Sequence, residues 1–107
     1  MELGYTYLKI KKIAKKVKEI YKISSMVEIV QYVFSDEDIL TLFVREGADC
    51  KDNKAADELI EQTMIDGVDY FDIQKMVIEA LIAANFYKKE LQEMLKTLEV
   101  QNTPAQN

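Results

Sequence analysis

Apolar residues return every three or four positions along almost the whole of this 107-residue chain, with only three glycines and one proline to interrupt them. That is the period of an α-helix with one side turned to a core, and it restricts the chain to helix packed on helix. Ile10, Ile13, Val17, Ile20 and Tyr21 form one stripe, while Lys11, Lys15, Lys18 and Lys22 fall opposite, so Thr6 to Lys22 is predicted as an amphipathic helix. Ser24 and Ser25 both offer an N-cap for a short second helix, Met26 to Phe34, with Met26, Ile29, Val30, Val33 and Phe34 on its apolar face.

The third helix lies in a stretch, Phe34 to Glu58, that carries eight carboxylates. Ser35 followed three residues later by Asp38 resembles a capping box, and Asp36 and Glu37 sit where the helix dipole favours negative charge. This helix runs through Ile39, Leu40, Phe43 and Val44 and is expected to end at Gly47 in the left-handed conformation. A polar loop follows. Calcium binding is the obvious alternative use of Asp49, Asp52, Asn53 and Asp57. An EF-hand counted from Asp49 would need an oxygen ligand at Lys51, glycine at Lys54 and glutamate at Ile60, so the acids are assigned to caps and solvent. Asp52 or Asn53 caps a fourth helix, Lys54 to Asp66, which buries Ala56, Leu59, Ile60 and either Met64 or Thr63 and stops at Gly67.

Asp69 or Asp72 caps a fifth helix that is apolar around most of its circumference. Ile73, Val77, Ala80, Leu81 and Ala84 form one stripe, and Ile78, Ile82 and Phe86 a second on nearly the opposite side. Helical pattern continues through Leu91, Met94, Leu95 and Leu98, with a bend at Asn85 left open, and residues 99–107 read as a flexible polar tail. The expectation is an all-α bundle of about five helices forming one compact domain over residues 1–98. Its predicted core comprises Ile13, Val17, Ile20, Val30, Phe34 and Leu40 from the first half, then Phe43, Leu59, Ile60, Val77, Leu81 and Ala84. Since the first stripe already commits the fifth helix to that core, the second is predicted to be a protein-binding surface of Ile78, Ile82 and Phe86 with Tyr87 at its edge, used for self-association or for capture of a partner helix.

Composition bears on function mainly by exclusion. The chain has no histidine and one cysteine, Cys50, so neither a zinc site nor a Cys/His nucleophile is available, and no serine or threonine has a base beside it. No catalytic, metal or cofactor residues are expected. Residues 1–22 hold seven lysines against two glutamates, net +5, while the remainder holds seven basic and seventeen acidic groups, net −10. The lone arginine, the acidic body and the lack of a glycine-rich loop argue against nucleic acid as a partner. No apolar run approaches the roughly 20 residues that span a bilayer, and lysines interrupt any signal-peptide core, so no membrane is expected and the location is read as cytosolic.

The stretch "DEDILTLFVREGA", with its D-x-x-I-L-x-L-F-x-x-x-G pattern, and the later "VIEALIAANFYKKEL" occur in a helix order that resembles the small tail assembly chaperones of long-tailed bacteriophages and prophages. The resemblance covers roughly Leu3 to Leu91. It implies a non-enzymatic helper of virion assembly in the host cytoplasm, one that coats the tape measure protein, keeps it soluble and recruits tail tube subunits. A different class is open on charge grounds: a small acidic phage-encoded inhibitor whose carboxylates occupy the nucleic-acid channel of a host enzyme.

Overall fold

A computed structural model describes residues 1–23 and 25–102. The chain is all-α. It forms six α-helices, α1 (Tyr7–Tyr21), α2 (Met26–Gln31), α3 (Glu37–Gly47), α4 (Asn53–Ile65), α5 (Tyr70–Ala83) and α6 (Lys88–Asn102), with a 3-10 turn, Tyr32–Phe34, between α2 and α3. No strand occurs among the described residues. The alternative cap Ser24 and residues 103–107 of the expected tail lie outside them, and the helix itself continues through Asn102.

The starts of the helices follow from side-chain caps. Thr6, Ser25, Asp36, Asp52 and Asp69 each accept a hydrogen bond from a backbone N–H of the turn they open. The third cap is Asp36 rather than Ser35: its Oδ1 accepts from the N–H of Asp38 at 2.9 Å and of Ile39 at 3.3 Å. A carboxylate one residue closer to the helix reaches two free donors, which leaves the Ser35 hydroxyl no capping role.

Helix α3 is the hub, packing against α1, α4, α5 and the 3-10 turn. Ile39, Leu40, Thr41, Leu42, Phe43 and Val44 are all buried, so this helix is enclosed on every side over its middle turns. Buried polar groups there are matched. The Thr41 hydroxyl donates to Asp57 Oδ1 at 2.6 Å, tying α3 to α4, and Gln74 Nε2 donates to the Val33 carbonyl at 3.3 Å, tying α5 to the 3-10 turn. No buried side-chain polar atom among the described residues lacks a partner.

Residues 1–6 form an extended strap across the end of α3. The Gly4 N–H donates to the Gly47 carbonyl at 2.9 Å, the Tyr5 hydroxyl donates to the Phe43 carbonyl at 2.6 Å, and the Tyr5 ring meets Phe43 edge-on at 6.1 Å. This corrects the reading of Gly47. It is the last residue of α3, not a left-handed terminator, and a Cβ there would lie 2.6 Å from the Tyr5 ring. Glycine is required by close approach, and the left-handed residue after α3 is Asp49, at φ 56°. At the end of α4 Gly67 does take positive φ, 103°.

Most of the expected core is buried, including Ile13, Val17, Val30, Leu40, Phe43, Ile60, Val77 and Leu81, with Phe34 and Leu59 half-buried. Two residues are not. Ile20 is 57% exposed because α1 ends one residue later and the left-handed Lys22 swings Ile23 into the core in its place. Ala84 is exposed because α5 ends at Ala83, where Asn85 (φ 60°) and Tyr87 (φ 44°) turn the chain into a separate sixth helix.

Candidate functional site

The second stripe of α5 is divided by this turn. Ile78 is 0% exposed, so its assignment to a binding surface is overturned: α6 packs along α5, with Leu91 buried and Met94 and Leu95 against the same core. On another side the N-terminal strap covers α5, with Met1 and Leu3 beside Met76 and Ala80. Enclosure that looked improbable for so small a domain is achieved by the chain's own two ends.

The remainder of the predicted surface gathers at the α5–α6 corner. Ile82 and Phe86 are half-buried, and Tyr87 is 44% exposed. The Phe86 and Tyr87 rings meet edge to face at 4.7 Å, an aromatic step at the molecular surface. Its backbone is strained in a specific way. Asparagine tolerates the left-handed region, but an aromatic residue there is an outlier, and such outliers cluster where a surface is used. Sequence reasoning placed Tyr87 at the edge of the site without anticipating that its own φ would set the corner.

The acids of the Phe34–Glu58 stretch are distributed through the helix junctions. Asp36 and Asp52 cap, Asp57 holds Thr41, Asp49 pairs with Lys9 at 3.0 Å and Glu46 with Arg45 at 3.3 Å. Cys50 is half-buried, and its thiol is pushed up by burial first and then by Asp49 and Asp52, the opposite of an activated nucleophile. Between α3 and α4 a cleft of about 340 Å³ is lined by Glu37, Thr41, Asp57 and Tyr70. The Tyr70 phenol there is raised by partial burial and then by Glu37. Among the described residues no group of three or more acids or cysteines is placed to hold a metal ion, and no helix is long and apolar enough to cross a membrane.

Two further faces were missed. On α1, Leu8 is 72% exposed among lysines, and on α4 Ile65 is 69% exposed beside exposed acids. Both were legible by register, since Leu8 falls one turn from Lys12 and Ile65 one turn from Glu61. Compared with known protein families, curated proteins and solved structures, the chain matches none.

Proposed function

We propose that this chain is a non-enzymatic tail assembly chaperone of a long-tailed phage or prophage, which binds the tape measure protein and assists tail tube assembly in the host cytoplasm. The observation that carries the reading is the α5–α6 corner. An aromatic pair is held at the surface by a left-handed tyrosine, within the turn that folds α6 back on α5. A long helical partner whose apolar side chains are exposed before assembly has the chemistry to cover such a corner, by the helix-in-groove mode. The sequence pattern from Leu3 to Leu91 adds the class of partner.

Co-expression with the tape measure protein tests this. The chain is expected to keep that protein soluble and to co-purify with it. Tyr87→Gly relieves the backbone strain while removing the ring, so it is expected to fold at least as well as the parent, by urea unfolding, and to lose most of the co-purified partner. Full capture by Tyr87→Gly, or a tape measure protein equally insoluble with and without the chain, would contradict the proposal.

A further inference from the structure

The exposed faces of α1 and α4 are complementary residue by residue. On α1, Leu8, Lys12, Lys15, Lys16 and Glu19 are all exposed and fall within about 100° of arc at 100° per residue. On α4, Ile65, Glu61, Glu58, Asp57 and Lys54 are all exposed and also fall within about 100°. Read forward along α1 and backward along α4, the two stripes have the same spacing, steps of four, three, one and three residues. Turning one stripe to face the other exchanges its left and right edges, so antiparallel contact sets Leu8 near Ile65, Lys12 on Glu61, Lys15 on Asp57, Lys16 on Glu58 and Glu19 on Lys54.

We infer that α1 of one copy of this chain docks antiparallel on α4 of a second copy, through these five pairs. Each chain carries one contact of like chemistry at one end of the stripe, three lysine-to-acid pairs in the middle, and a pair of inverted sign at the other end. The inverted pair favours this register, because a slide of one helical turn sets Glu19 opposite Glu58 in place of Lys54 and turns an attraction into a repulsion. Within the described residues these charges have no competing ion pair: the salt bridges of the chain involve Lys9, Asp49, Arg45, Glu46, Lys75, Asp72 and Glu99 instead. Asp57 is held by Thr41 and is thereby positioned rather than neutralised. Antiparallel helices also place opposite dipole ends together. Within one molecule α1 and α4 each pack on α3, so a copy that lends its α1 to one neighbour still has its own α4 to offer. The inference stands on charge and register alone and is independent of the phage reading.

A charge exchange between two variants tests it. Variant one carries Lys12→Glu and Lys16→Glu; variant two carries Glu58→Lys and Glu61→Lys. All four positions are exposed, and circular dichroism of each checks that helicity is kept. One helix face cannot bury a large area, so association belongs to the weak class and is read by sedimentation at about 1 mM chain in low salt. The parent is expected above the 12.4 kDa of one chain. Each variant alone sets like charges together and is expected to sediment as the monomer. An equimolar mixture restores every pair, acidic α1 on basic α4 and basic α1 on acidic α4, and is expected to recover the mass of the parent. A monomeric parent, variants that associate as the parent does, or a mixture that stays monomeric would each overturn the inference. Should either variant lose helicity, the single exchange Lys16→Glu with Glu58→Lys is read in the same way.

Discussion

Tyr5 and Gly47 illustrate how single residues fix this fold. The ring of Tyr5 lies where a Cβ on residue 47 would be, and its hydroxyl is held by the Phe43 carbonyl. In Gly47→Ala two effects oppose each other. Alanine gains up to about 1 kcal/mol over glycine in a helix, whereas overpacking costs about 1–3 kcal/mol. The ring is buried and hydrogen-bonded, so it cannot swing aside, and the clash is expected to win by about 1 kcal/mol or more in urea unfolding. Tyr5 also gives stability a pH dependence. Burial first, and Glu46 second, push its phenol far above the ordinary value. Below a pH of about 10 both folded and unfolded states keep the proton, and the contribution is complete. Above it only the unfolded state releases the proton, so stability falls as pH rises, by up to about 1.4 kcal/mol per pH unit. Tyr5→Phe is expected to lower stability at neutral pH, through the lost hydrogen bond, and to remove that part of the alkaline slope. None of this was legible in the sequence, where Gly47 read as an ordinary terminator, because a close approach between residues 42 apart leaves no local trace.

At the scale of elements, periodicity and capping chemistry carried most of the information. The stripe Ile10, Ile13, Val17 announced α1, and the candidate caps Asp52 or Asn53 and Asp69 or Asp72 bracketed the starts of α4 and α5, where Asp52 and Asp69 are the caps found. Where periodicity misled, the missing information was conformational. Asn85 and Tyr87 take left-handed φ, which separates α5 from α6, and nothing in "AANFYKK" obliges an aromatic residue to do so. Once the chain turns there, α6 returns over α5, and Ile78 of the second stripe becomes core while Ile82 and Phe86 stay half-buried. Ile78→Ala is therefore expected to destabilise the fold by about 2–5 kcal/mol, as truncation at a fully enclosed site leaves a cavity. A change within about 0.5 kcal/mol, the range of a surface substitution, would mean that α6 does not cover α5 in solution.

For the whole molecule, the charge asymmetry seen in the sequence has a structural counterpart. The lysines of the N-terminal segment lie on α1 and its C-cap, and most of the acids lie on the later helices and their junctions. Among the described residues every buried side-chain polar atom is matched, α1 to α5 are each capped by a side chain, and the large exposed apolar residues include Leu8 on α1, Ile65 on α4 and Tyr87 at the α5–α6 corner. These are the surfaces proposed to meet other proteins. The proposed contacts between copies are expected to weaken with salt and those at the aromatic corner are not, since screening over about 10 Å at 0.1 M weakens exposed ion pairs and leaves apolar burial intact. The most direct measurement is sedimentation of the unaltered chain at one concentration across increasing sodium chloride. The account predicts a mass above 12.4 kDa at low salt that falls toward that of a single chain by about 0.5 M salt, with helicity unchanged. A mass equal to one chain at every salt concentration, or an assembly indifferent to salt, would contradict it.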